Sequence, residues 1–339
     1  MRAARLTAHG RSSMRVTADA PPPSIGPDDV LIRVAVVGVN QLDLNVIDGV
    51  GPGAGSQLPR ILGIDPAGTV VAAGSNVPSS RIGTRVVVKP NISCGRCSYC
   101  EGGNEADCPN QVVIGAHRDG GAAELVAVPA RNAFPIESLD FAVASAAVHS
   151  VPIALHALGA LGGVDHRDTL LVTGASGAVG GAAGQLAEHF GARVISAVRR
   201  EGHPPVAGAV CLAETPAELP SAVARLAPDG VSAVLDASGD ANLLGAALET
   251  LSWGGRAVTC AASVDPELRI DVRRFYLRRN RLIGAASANY SEVAKALDLV
   301  GAGAVSVAID SRFPLARIGA AYDRFVEGRR MGKVIVDVG

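Results

Sequence analysis

The sequence predicts an α/β protein built from a β-rich part and a doubly wound parallel sheet. Three observations carry that prediction. Up to about residue 130 the chain is a series of short runs dense in β-branched residues. From about residue 140 strand-like and helix-like runs alternate. A glycine-rich turn joins one of these strands to the helix after it.

In the first part, Val30–Val37 is rich in Val and Ile and follows a Pro/Gly stretch at 21–27, the pattern of a strand after a loop. Gly68–Ala72, Thr84–Val88 and Glu124–Val128 read as further short strands. The Ala-rich run Phe141–Leu161 reads as a helix. Thr169–Thr173, Arg193–Ala197, Val210–Leu212, Ala233–Asp236 and Arg256–Cys260 then read as strands. Helical patterns over Ala178–Phe190, Ala217–Leu226 and Asn242–Leu251 fall between them. Strands alternating with helices pair in parallel through crossover helices. From Leu282 the tail mixes both patterns and ends on the strand Lys333–Asp337.

At 339 residues the chain suits two domains, and 48% hydrophobic residues supply a large core. Aromatic residues are only 3%, so Ala, Val, Leu and Ile must fill it. The net charge of −1 offers no basic field for nucleic acid. No apolar run is expected to reach the length of a membrane span, and Met1–His9 lacks the apolar core of a signal peptide. A soluble cytoplasmic protein acting on a small molecule is the expectation.

Four of the six cysteines, Cys94, Cys97, Cys100 and Cys108, fall within one short segment. Two-residue gaps let thiolates turn to one point, and a four-sulfur tetrahedron is the set that Zn²⁺ prefers. Such a site is closed, so the metal it predicts is structural. Two disulfides and an iron–sulfur cluster are the other chemistries open to four cysteines. Glu101, Glu105 and Asp107 offset Arg96, which speaks against a nucleic-acid-binding zinc module. Cys211 and Cys260 sit in apolar runs and read as small buried hydrophobes.

The strand Thr169–Thr173 runs into Gly174-Ala-Ser176-Gly177-Ala178-Val179-Gly180. Glycines there let backbone approach a pyrophosphate, and the following helix turns its first amides and dipole toward the phosphates. The next strand ends Ser196-Ala197-Val198-Arg199-Arg200, with no acid before Glu201. An acid at that point would accept a ribose 2′-hydroxyl. Two arginines suit a 2′-phosphate, so NADP(H) is the expected cofactor, bound by Gly174 to Gly180 with Ser196, Arg199 and Arg200.

Together, the four-cysteine lobe on a β-rich front, the GASGAVG turn and the ending Gly332-Lys333-Val-Ile-Val resemble the medium-chain dehydrogenase/reductase superfamily. Asp119–Glu124, Val128–Asn132, Val234–Gly239 and Gly254–Val258 add to the resemblance. It implies a GroES-like catalytic domain over residues 1–130 and 271–339, carrying the lobe at 94–108. A Rossmann domain over 131–270 would hold the cofactor, and a homodimer is the family's usual assembly.

The departures from the alcohol-dehydrogenase branch are informative. Asn40 stands where that branch has a zinc-binding Cys, and Ile64 where it has the His of a Gly-His-Glu triplet. The third ligand would fall near Val148 or His149, and one His without partners makes no metal site. Asn40-x-x-Asp43 and Gly63-x-Asp65-x-Ala-Gly68 instead resemble the zinc-independent quinone oxidoreductase and enoyl reductase branch. The resemblance implies NADPH-dependent reduction of an enone, quinone or iminium without catalytic zinc, with Asn40, Asp43 and Asp65 as candidate site residues. Asn45 stands where some reductases of the branch carry a Tyr proton donor. A zinc-dependent alcohol or aldehyde dehydrogenase with atypical ligands, and a catalytically inactive NADP(H)-binding sensor, are the alternatives.

Overall fold

Strand Asp29–Gly38 buries alternate residues, Val30, Ile32 and Val34 among them, and organises the β-rich unit around itself. In this computed structural model, which describes residues 1–200, 206–327 and 331–339, the strand pairs antiparallel with three others. These are Asp65–Ala73, Leu125–Pro129 and Lys333–Asp337. The sheet continues outward through Arg85–Val88 and Ala133–Pro135 on one side and Ile309–Pro314 on the other. A second sheet joins Met14–Thr17, Ala3–Leu6 and Arg60–Ile61. With few aromatics, the core is built from Val and Ile, closed by Tyr322 and Phe325 of helix Ile318–Val326.

The chain divides into two compact units: Met1–His149 with Val307–Gly339, and Ser150–Ser306. The divisions lie later than the residues 130 and 270 expected from the sequence. At the second division the reason is visible in the sheet: strand Arg281–Gly284 adds in parallel to Leu251–Thr259, so the parallel sheet runs past residue 270.

That sheet has six strands, all paired in parallel. The spatial order is Ala209–Leu212, Arg193–Val198, Thr169–Thr173, Val231–Asp236, Leu251–Thr259, Arg281–Gly284. In chain order this is 3-2-1-4-5-6, the doubly wound dinucleotide-binding arrangement. The connectivity reverses between Thr169–Thr173 and Val231–Asp236, and ligands of such sheets bind at the carboxyl ends of the strands flanking that reversal. Buried strands here are near-continuous apolar runs, as sheets covered on both faces require.

One expectation from the sequence is corrected. Helix Phe141–Ala160 is long and apolar enough to cross a membrane by length and composition, with mean hydropathy 1.6. Its most apolar stretch is 72% buried inside the fold, where it serves as a core helix.

Candidate functional site: a dinucleotide turn, a buried carboxylate cluster and a four-cysteine lobe

Strand Thr169–Thr173 passes into the turn 174–177, and helix Ala178–His189 begins directly after it. Gly174 adopts φ +67°, where a side chain is strained, and a Cβ on it would lie 2.6 Å from the Ala237 carbonyl carbon. A Cβ on Gly180 would lie 2.3 Å from the Gly174 oxygen. Only glycine therefore lets the helix seat this closely on the turn. Gly177 is the N-cap and caps with no side chain. The first helical amides, at Ala178, Val179 and Gly180, have no partner within the helix, the arrangement that can receive an anion. Ser176, Gly177 and Ala178 are exposed at the turn's tip.

The base of the turn is fixed by Asp236 at the end of the adjacent strand. Its Oδ1 accepts from Thr173 Oγ1 at 2.5 Å and Ser238 Oγ at 2.6 Å, and its Oδ2 from Thr259 Oγ1 at 2.9 Å. Thr173 and Thr259 come from separate segments, so the role of Asp236 is not carried by its local sequence. Arg199 and Arg200 are exposed directly after strand Arg193–Val198. Glu201 lies outside the described residues. Ser196 is not brought to the turn: it is 1% exposed within the sheet, and its hydroxyl donates to the Ala207 oxygen at 2.7 Å.

In the β-rich unit, Asn40, Asp43 and Asp65 come together. Asn40 is the N-cap of helix Gln41–Asp48, and Asp43 completes a capping box by accepting from the Asn40 amide at 2.8 Å. The other Asp43 oxygen accepts from the Gly63 amide at 3.1 Å. Asp43 is fully buried, and burial pushes its carboxyl up to about 7, with the Asp65 charge adding to the effect. Asn40 Nδ2 donates to Asp65 Oδ2 at 3.0 Å.

A residue that sequence reasoning missed completes the cluster. Lys333 Nζ donates to the same Asp65 Oδ2 at 2.6 Å, with 9% of its side chain exposed. Its stem passes over Gly38, where a Cβ would lie 2.5 Å from Lys333 Cε. The signal was present as the Gly332-Lys333 ending, but its partner is remote in sequence. His149 Nδ1 lies 3.7 Å from Asp65 Oδ1, which has no hydrogen-bond partner. Burial holds the imidazole below its usual range, aided by the Lys333 and Lys89 ammonium groups and opposed by Asp65. Ile64 is fully buried.

The Cys94, Cys97, Cys100 and Cys108 sulfurs all lie within 4.8 Å of one another, and none is in a disulfide. Sulfurs 2.3 Å from one tetrahedral ion stand about 3.8 Å apart. Here Sγ of Cys94 and Cys100 are 3.9 Å apart, and those of Cys97 and Cys100 3.5 Å. That spacing fits one zinc ion, whereas an iron–sulfur cluster spreads its thiolates over two or more irons. The Arg96 amide facing the Cys94 sulfur holds that thiol down to about 6, close to the thiolate a metal needs. The lobe is tied to the sheet by Arg131 donating to the Ser93 oxygen at 2.6 Å, and by Asn132 donating to the Lys89 and Asn91 oxygens.

A parallel sheet of this order with a glycine turn at its reversal, on the same chain as a β-rich unit with a four-thiolate lobe, defines a nicotinamide-dinucleotide oxidoreductase. The alcohol dehydrogenase GroES-like domain matches residues 26–138 and the zinc-binding dehydrogenase domain residues 214–336. The chain belongs to the medium-chain, zinc-type alcohol dehydrogenase-like family. It is 28% identical to L-galactonate-5-dehydrogenase of Escherichia coli, over 91% of each chain. It is also 28% identical to acryloyl-coenzyme A reductase of Sulfurisphaera tokodaii, over 94% of this chain and 95% of that one. The crystal structure of an NAD-dependent alcohol dehydrogenase superposes with a TM-score of 0.92 at 31% identity, over the whole of both chains.

The purified protein should carry one zinc per chain by metal analysis. Cys108→Ala should lose it and lower the melting midpoint by roughly 5 °C or more; a full-length protein with no bound metal would contradict the assignment. Asp43 gives a pH signature. Its folded pKa of about 7 lies above the ordinary 3.8, so its contribution to stability is full below about pH 4 and is lost as pH rises through 7. The advantage of wild type over Asp43→Asn, read from denaturation midpoints, should therefore shrink between pH 4 and 8. A pH-independent difference would show that the raised pKa is wrong.

Proposed function

We propose that the protein is an NADPH-dependent reductase of activated double bonds, such as an enone, quinone or iminium, working without a catalytic metal. The observation that carries this reading is the character of the would-be zinc positions. Asn40 is committed as a helix cap and to Asp65, and Ile64 is a fully buried hydrocarbon. Among the described residues, the four cysteines are the one group of three or more metal-binding side chains close enough to share an ion. The family's catalytic zinc does not fit these residues. Without a Lewis acid, nothing lowers the pKa of a simple alcohol, whereas a conjugated acceptor is already electrophilic. The name of the acryloyl-coenzyme A reductase points the same way.

The fit to a dinucleotide is good. The amides of Ala178 to Gly180 would receive the pyrophosphate, and Arg199 and Arg200 a 2′-phosphate. When bound, the cofactor supplies the hydride. The chain's own task is to place the acceptor and hold its developing negative charge. Asn40, fixed by its cap and by Asp65, would hydrogen-bond the substrate or the nicotinamide ribose in this reading.

We further propose a homodimer formed along the outer strand Arg281–Gly284. Trp253, Val272, Tyr276 and Leu277 are 66%, 65%, 63% and 51% exposed, and the Arg279 guanidinium lies 4.9 Å over the Trp253 ring. This apolar patch beside an open sheet edge suits a second copy of the chain.

Purified protein should oxidise NADPH in the presence of enones or quinones and should leave simple alcohols untouched with NADP⁺. Arg199→Ala with Arg200→Ala should cut the preference for NADPH over NADH at least tenfold, the loss of charge-assisted bonds worth about 1.5–3 kcal/mol. Alcohol oxidation that requires added zinc would overturn the reading, as would dinucleotide binding with no turnover on any acceptor. The native mass should be about twice 34.3 kDa, and Tyr276→Glu with Leu277→Glu should yield monomer. A wild-type monomer would refute the dimer.

A further inference from the structure

Reduction of a double bond needs a proton as well as a hydride, and most of the buried cluster cannot supply one. Asn40 has no acidic proton. Asp43 is fully buried, with both oxygens accepting backbone amides. Asp65 is also fully buried, and its Oδ2 is occupied by Lys333 and Asn40. His149 differs in standing at the cluster's edge, with 21% of its side chain exposed.

Helix geometry fixes His149 against Asp65. Ser145, one turn earlier on the same face of helix Phe141–Ala160, donates its hydroxyl to the Asp65 backbone oxygen at 2.6 Å. That anchor brings His149 Nδ1 to 3.7 Å from Asp65 Oδ1. This oxygen is buried and has no hydrogen-bond partner. A buried, unpartnered carboxylate oxygen is costly, and a charged ring nitrogen is the group that would satisfy it. Catalytic hydrogen bonds are often longer than ideal before substrate binds. With Nδ1 turned to the carboxylate, Nε2 is the ring nitrogen left to donate.

Resting on the reductase reading above, we propose that His149 is the proton donor, with Asp65 as its positioning residue and Lys333 as the counter-charge that fixes Asp65. A bound reduced dinucleotide would supply the hydride for the new C–H bond at the β-carbon. The π electrons of the double bond move to the α-carbon and its conjugated oxygen as an enolate. The His149 Nε2–H bond then breaks, its proton passes to the α-carbon, and the imidazolium becomes neutral imidazole. Solvent returns a proton to the ring, whose side chain is 21% exposed. One hydride and one proton enter the substrate, and the dinucleotide leaves oxidised. Burial opposes the imidazolium most, Asp65 favours it, and the Lys333 and Lys89 ammonium groups add to the opposition. A ring held below its usual range gives up its proton readily and is charged only toward lower pH.

The test uses His149→Gln and His149→Ala in the full-length enzyme, assayed with NADPH and an enone. In His149→Gln, kcat should fall about 10²–10⁴-fold, with little change in KM for the enone or Kd for NADPH. The decline of wild-type kcat with rising pH should disappear, and free imidazole should restore part of the rate of His149→Ala. In the cofactor-free protein, NMR titration of the His149 ring should show its pKa lowered by Asp65→Asn and raised by Lys333→Met. An unchanged kcat, or a wild-type pH profile in His149→Gln, would overturn the proposal while leaving the reductase reading intact. A His149 titration indifferent to both neighbours would overturn the pairing. A wild-type enzyme inert toward every activated acceptor would remove the reductase reading, and this proposal with it.

Discussion

The β-rich unit depends on the counter-charging of one buried carboxylate. Asp65 has no exposed surface, and an uncompensated charge there would cost several kcal/mol even after relaxation. Lys333 supplies the opposite charge from 268 residues further along the chain. The final strand must therefore return to pair with Asp29–Gly38, the partner of Asp65's own strand. Gly38 lies between the two charged residues and leaves the lysine stem its path. Asn40, two residues on, spends its side chain on the same carboxylate and on starting a helix. Topology, helix capping and the candidate chemistry thus meet at one oxygen pair.

The dinucleotide turn has its own anchor. Three hydroxyls converge on Asp236, one from each of two strands and one from the turn between them. The glycines above that anchor give flexibility of sequence no role; they permit close backbone contact at Gly174 and Gly180, and leave the tip at Gly177 bare. A rigid floor beneath an unencumbered phosphate loop is the preorganisation that binding without reordering requires.

Much of this was legible in the sequence because it is local. Runs such as Thr169–Thr173 and Arg193–Val198 are buried on both faces and carry the β-branched density that marks them. The cysteine lobe and the glycine turn announce their chemistry by spacing alone. What stayed hidden is non-local. Lys333 looks like a surface lysine until its partner is seen. His149 gains meaning only from Ser145 and Asp65. Asn40-x-x-Asp43 is also the spacing of a helix N-cap, and the capping box accounts for much of what these residues do. Ser196 lies near the end of strand Arg193–Val198, yet its hydroxyl is turned to Ala207. Strand Arg281–Gly284 is short and begins on a charge, too weak a pattern to move the domain boundary past it.

Between Cys94 and Cys108 only Ala106 and Cys108 are buried, so this segment has almost no hydrophobic interior of its own. A metal ion would serve as its core. The order of the lobe is then set by mass action, growing with the logarithm of free zinc relative to its dissociation constant. Where zinc is scarce, the lobe is the first part of this fold expected to lose order, while the apolar sheets hold. The segment makes one local stability in an otherwise self-sufficient protein a function of the surrounding metal supply.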